Sequence, residues 1–96
     1  MSIFDISEEK LSKEFIEILL ENKNVRIKKI VSKGHTTDWY NQLEDEWVCL
    51  LEGEADLEFE NGIITLYKGD SIFIPRHQRH RVLRTTQCIW LCVFIT

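Results

Sequence analysis

Proline and glycine are scarce in this chain of 96 residues, with one Pro and four Gly, and no repeat, linker or low-complexity tract interrupts it. Cysteine is limited to Cys49, Cys88 and Cys92. An odd number without a Cys-x-x-Cys pair indicates neither a disulfide framework nor a zinc knuckle, and all three lie in apolar runs, as small buried hydrophobes do. The longest apolar run, residues 88–95, is far short of the roughly 20 residues a membrane helix needs. The opening MSIFDISEEK lacks the charged start, apolar stretch and cleavage site of a secretion signal. A soluble, cytoplasmic protein is expected. Positive charge is in deficit too: 12 Lys plus Arg against 16 Asp plus Glu leave a net charge of −4. That argues against nucleic acid or an anionic membrane as partner, because such binding neutralises phosphates with Lys and Arg.

What is present suffices for one domain around one core, at 44% hydrophobic residues and a burial of roughly 60 to 70% of the unfolded surface. The charge is unevenly spread. Residues 1–60 carry 7 basic and 15 acidic side chains, and residues 61–96 carry 5 basic and 1 acidic. Over residues 12–21, Phe15, Ile16, Leu19 and Leu20 fall on one helical face. Ser12 can cap that helix and Leu11 can pack on Ile16 as a hydrophobic staple. A short amphipathic helix docked on the domain is the reading, with residues 1–23 as an N-terminal helical segment and 24–96 as the main domain.

Beyond Asn22 the pattern changes to period two. Candidate strands are 25–32, 47–51, 54–60, 63–67, 71–74, 80–84 and 87–95. In 54–60, Ala55, Leu57 and Phe59 face inward while Glu54, Asp56, Glu58 and Glu60 face water. Asn61-Gly62 supplies the positive-φ pair of a two-residue hairpin to the next strand. The last strand has no polar alternation, so both its faces should be covered, one by the interior and the other by the N-terminal helix or a subunit interface. An all-β barrel or two-sheet fold follows.

Spacing adds a more specific signal. Gly34, five residues, Tyr40-x-Gln42, three residues, Glu46, six residues and Gly53 form one frame; Gly69, five residues, Pro75-x-His77, two residues, His80, three residues and Arg84 form a second. Together they resemble the two motifs of the cupin family, in which the first carries His-x-His where this chain has Tyr40 and Gln42. The second motif has Gly at position 77 and Asn at position 84. The resemblance implies a cupin jelly-roll barrel, a double-stranded β-helix, whose His-x-His, Glu and later His hold a divalent metal in the interior.

On that frame the candidate pocket is Tyr40, Gln42, Glu46 and His80, with His77 at its mouth. Gln42, Glu46, His77 and His80 are the candidate metal ligands, for Zn, Fe, Mn or Ni. An amide and a phenol are poor replacements for two imidazoles, so a hydrogen-bonded Glu46–His80 core pair is the competing reading. Without metal, Glu46 and His80 remain candidate catalytic groups, because burial and a neighbouring imidazolium can poise them for proton transfer. Tyr40, Gln42 and Arg84 are candidate ligand-binding residues, Arg84 as a grip for carboxylate or phosphate. The four arginines of 76–84 also balance the nine acids of 38–60, and the two sets are expected to meet as a mixed-sign rim at the pocket mouth.

His35 reads as a solvated loop residue. Trp39, Trp47 and Trp90 read as core or interface anchors. Trp47 and Cys49 have the opposite parity to Glu46 and belong to the outside of the barrel; with the doubly apolar last strand they suggest a C2 homodimer, a common cupin assembly. Three functions stay open: a small-molecule-binding cupin with or without metal, a metal-dependent oxygenase or isomerase, and a metal-free structural or interaction module.

Overall fold

The computed structural model describes residues 2–6 and 14–96. Eight strands make the fold: β1 (Phe15–Glu21), β2 (Val25–Lys33), β3 (Asp45–Glu52), β4 (Glu54–Phe59), β5 (Gly62–Tyr67), β6 (Ser71–Ile74), β7 (His80–Thr85) and β8 (Gln87–Ile95). They form a five-stranded sheet in the order β1-β2-β8-β3-β6 and a three-stranded sheet in the order β5-β4-β7, with every pairing antiparallel. Among the described residues there is no helix, so none is long and apolar enough to cross a membrane.

The helix expected over 12–21 is corrected: residues 15–21 are β1. Their backbone groups pair with the free edge of β2, from Phe15↔Val31 to Glu21↔Arg26 with one irregularity between Ile18 and Leu20. Phe15, Ile16 and Ile18 are aromatic or β-branched and suit a strand, and a sheet edge nearby outweighs the weak helical periodicity of a short segment. The cap and staple residues, Ser12 and Leu11, lie outside the described residues.

β8 is the central strand of the larger sheet. It pairs without interruption with β2, from Val25↔Ile95 to Lys33↔Gln87, and on its other side with β3. Its Cys88, Trp90, Cys92 and Phe94 point into the core, which they share with Val48, Leu50, Ala55, Leu57, Phe59, Leu66 and Ile74. The buried Trp90 Nε1 donates to Ser32 Oγ at 2.8 Å. On the outer face Ile89 is buried beside Val31 and Lys29. The Lys29 ammonium donates to the Asp5 carbonyl, so residues 2–6 cross this face in place of a helix.

In β4 the alternation is as the sequence implies, with Ala55, Leu57 and Phe59 buried. The hairpin is set one residue earlier than expected. Phe59 pairs with Gly62, leaving Glu60 and Asn61 as the loop, and Gly62 alone takes positive φ there. In this register Leu57 lies opposite Ile64 and Ala55 opposite Leu66.

Gly53, between β3 and β4, has φ 91°, and a Cβ there would collide with the Gln87 carbonyl oxygen and lie 2.7 Å from Cys88 Sγ. Gly69 has a similar φ of 90° but open space around it. Gly69→Ala should therefore cost roughly 1 kcal/mol from backbone strain alone, and Gly53→Ala about 2 kcal/mol more from the added clash. Urea denaturation of the two variants measures the difference, and equal costs would contradict the close packing at Gly53.

Candidate functional site

Between the sheets lies a cavity of about 160 Å³. Its walls are mostly apolar, from Ile30, Val48, Leu57, Trp90 and Phe94 among others, and its polar lining residues are Glu14, Lys28, Tyr40, Gln42, Glu46 and His80. Glu46 enters from β3, opposite Ile74 of β6 and Phe94 of β8, and is 6% exposed. His80 opens β7 and is 4% exposed. Their nearest approach is 3.9 Å, Nε2 to Oε1.

The extended segment before β3 completes the wall. Tyr40 exchanges backbone bonds with His80, Tyr40 N to His80 O at 2.7 Å and His80 N to Tyr40 O at 3.2 Å. Its ring packs against the imidazole with centroids 5.5 Å apart. Thr37 N–H donates to the Val82 carbonyl at 2.9 Å while Val82 N–H donates to Thr37 Oγ1 at 2.9 Å, and Gly34 N–H donates to the Thr85 carbonyl at 3.1 Å. The stretch that reads as a polar loop is thus a ribbon held along β7, and it delivers Tyr40 and Gln42 to the cavity.

Burial pushes the Glu46 carboxyl above its ordinary value, offset in part by the nearby His80, by hydrogen bonds from the Cys92 thiol and the Gln42 amide, and by Lys28. Burial pushes the Cys92 thiol well up, and the adjacent Glu46 adds to it. His80 Nδ1 lies 3.0 Å from the Gln78 carbonyl oxygen, which can only accept. Nδ1 therefore donates to that carbonyl, and Nε2 is the ring nitrogen that faces Glu46. The Gln42 amide nitrogen faces the carboxylate and its Oε1 is buried with no partner.

Two candidate residues stay outside the cavity. His77 is exposed, with Nδ1 3.3 Å from Asn41 Oδ1. It holds φ 67°, a left-handed conformation that favours glycine, at the position where the resembling motif has Gly, and its N–H bonds to the Gln42 carbonyl at 2.8 Å. Its role in the structure is in the turn. Arg84 is turned away by a bulge in β7: Val82 pairs with Leu57 but Arg84 with Asp56, so Leu83 is an extra residue and the parity shared with His80 is lost. Arg84 binds Asp56 at 2.9 Å and Glu54 at 2.8 Å. Arg81–Glu58 at 2.6 Å lies beside it on the small sheet, while Arg76 pairs with Asp45 of β3 at 3.3 Å and Arg79 with Glu60 at 3.9 Å. His35 lies outside the cavity lining and accepts from the Lys33 N–H at 2.7 Å.

Conversely, Lys28, Glu14 and Cys92 line the cavity without having been singled out from the sequence. In β2 the two faces read Arg26, Lys28, Ile30 and Ile27, Lys29, Val31, a pattern too mixed to say which lysine points inward. The Lys28 ammonium settles 5.1 Å from the Phe94 ring centroid.

The donor set does not fit a resident divalent metal. Glu46 and His80 are two strong donors; Tyr40 and Gln42 bring a phenol and an amide, His77 is turned outward, and Lys28 adds a positive charge to the same space. Among the described residues no group of three His, Cys, Asp or Glu is arranged to hold an ion.

A carboxyl raised above its ordinary value of 4.5 binds its proton more tightly folded than unfolded, so it lowers stability as pH rises from that value through the raised one. Glu46→Gln removes this penalty. The variant should be more stable than wild type at pH 7, with the gap closing at pH 4, as read by urea denaturation at both. A gap that is constant with pH would show that burial is not what raises the carboxyl.

The cupin domain model matches residues 30–94. The structure of a candidate mannose-6-phosphate isomerase from Ralstonia eutropha JMP134 is 31% identical, with a TM-score of 0.91 over 99% of this chain and 95% of that one. A cupin superfamily protein from Desulfitobacterium hafniense DCB-2 has a TM-score of 0.84 at 20% identity, over 93% of this chain and 83% of that one. A cupin-2 domain protein from Shewanella frigidimarina has a TM-score of 0.75 at 20% identity, over 85% and 80%; these last two likenesses concern fold alone. No curated protein sequence matches the chain. Two facing antiparallel sheets, the spacing of Gly34, Glu46, Gly53, Gly69, Pro75 and His80, and the family match over residues 30–94 place this chain in the cupin family.

Proposed function

We propose that this cupin binds a small molecule in the barrel interior without a resident metal ion. The observation that carries the reading is a cavity of about 160 Å³ whose apolar walls surround a buried carboxyl group, a buried imidazole and an amide oxygen without a partner. A cavity of roughly 150 Å³ can hold a six-carbon ring, which sets the scale of the ligand. Buried polar groups are costly unless hydrogen-bonded, so a ligand that supplies the missing partners recovers part of that cost.

A second reading, acid–base isomerisation, is favoured by the Glu46–His80 pair and by the 31% identity to the candidate mannose-6-phosphate isomerase. The neutral His80 would take a proton from carbon beside a carbonyl, while protonated Glu46 would donate to the carbonyl oxygen. A hexose phosphate exceeds the cavity and would have to project from its mouth. The proposal also includes a second copy of the chain. Trp47 and Phe73 sit opposite each other on the outer face of the large sheet and are 37% and 55% exposed, with Ile95 nearby at 41%. An apolar patch of this kind suits a self-complementary interface.

The test uses protein purified without a nickel column. Metal analysis should find well under one equivalent, and light scattering should return twice the 11.4 kDa of one chain. In NMR titrations with a set of six- to ten-atom fragments, hits should shift Gln42, Glu46 and His80 together. Ile16→Trp, at the half-exposed cavity wall, should block them. Stoichiometric metal would overturn the metal-free claim, a monomer would overturn the dimer, and a fragment set that leaves these residues unmoved would overturn the binding function. Deuterium incorporation into mannose 6-phosphate in D₂O, abolished by Glu46→Gln, would favour isomerisation.

A further inference from the structure

The polar groups of the cavity are unbalanced, and the imbalance specifies a ligand. Acceptors dominate: the Glu46 carboxylate, the Gln42 Oε1 left without a partner and the Glu14 carboxylate. The Gln42 side chain lies beside Glu46, and its Oε1 is buried without a partner. Lys28 is the one formal cation among the described lining residues, against two carboxylates, and its ammonium is placed against the Phe94 ring. The anion grip proposed for Arg84 is absent from the cavity, because that side chain is engaged outside by Glu54 and Asp56.

The walls narrow the choice further. A polyol or sugar phosphate would lay many hydroxyls against Ile30, Val48, Leu57, Val82 and Trp90, where each lacks a partner at a cost. A molecule with one donor-rich charged head and an apolar body meets both requirements. Its head satisfies the acceptors and its body covers the walls, and the aromatic lining of Tyr40, Trp90 and Phe94 tolerates positive charge.

We infer that the ligand of this cavity is a small primary amine in its ammonium form, its head held by Glu46 and Gln42 Oε1 and its apolar body against the barrel wall. This rests on the small-molecule-binding reading above and names the chemical class that reading leaves open. The ligand keeps its covalent structure.

Three probes of one shape and different charge test it at pH 7: benzylammonium, benzyl alcohol and benzoate, titrated into wild-type protein by calorimetry and by NMR. Benzylammonium should bind at one per chain, at least tenfold more tightly than the other two, and shift the signals of Gln42, Glu46 and His80. Glu46→Gln, which keeps side-chain shape, should lower its affinity at least tenfold and leave benzyl alcohol unchanged. Gln42→Leu, should Glu46→Gln fail to fold, should lower it at least threefold. Benzoate or benzyl alcohol binding as tightly as the amine overturns the inference while leaving the binding reading in place. Benzylammonium binding that neither variant weakens also overturns it. Failure of all three probes, while other fragments move the cavity residues, overturns the amine assignment alone; failure of every fragment overturns both.

Discussion

β8 lies in the middle of the larger sheet with β2 on one side and β3 on the other, and its backbone is satisfied along nearly its whole length. Its inward face is buried throughout, whereas on the outer face only Ile89 is buried, Leu91 and Val93 are half-buried and Ile95 is exposed. Its inward side chains, Cys88, Trp90, Cys92 and Phe94, form one wall of the core and of the cavity. Its register also dictates which side chains of its neighbours turn inward: Lys28 opposite Cys92, Glu46 opposite Phe94 and Val48 opposite Cys92. The charged content of the cavity is thus a consequence of one central strand and the pairings it imposes.

The cavity holds charge where an apolar core would be simpler and more stable. Glu46 and His80 are nearly fully buried, and burial works against ionising the carboxyl. Removing one partner from such a pair leaves an uncompensated group, while replacing the whole by hydrocarbon is often neutral or favourable. Retaining both, beside an amide oxygen without a partner, makes sense as preparation for a ligand. The remaining framework is of the ordinary kind: ion pairs on the outer face of the small sheet contribute little individually, and burial of apolar side chains between the sheets supplies the main driving force.

Part of the site was legible before any coordinates, through two kinds of signal. Strand alternation placed Ala55, Leu57 and Phe59 inside, and the spacing shared with cupins brought Tyr40, Gln42, Glu46 and His80 into one set. The structure joins those four around one cavity. His77 followed the same motif but occupies the position of a glycine, and its left-handed backbone serves the turn. Arg84 obeyed simple parity until a bulge at Leu83 reversed it. Lys28 and Glu14 had no readable signal: one lies in a strand with two mixed faces, the other in the 12–21 segment that reads as a helix.

Periodicity, turn residues and motif spacing are local properties, and by themselves they determined an all-β chain, most of its strands, its family resemblance and the buried carboxylate–imidazole pair. Tertiary structure decided whatever depended on a partner in space. Residues 15–21 became a strand because β2 offered an open edge. The β4–β5 loop falls at Glu60 and Asn61, one residue before Asn61-Gly62. Arg84 turned outward because β7 had to accommodate an extra residue against β4, and Lys28 turned inward because β2 is in register with β8. In each case the deciding energy comes from contacts between residues far apart along the chain, which a reading of neighbours in sequence does not contain.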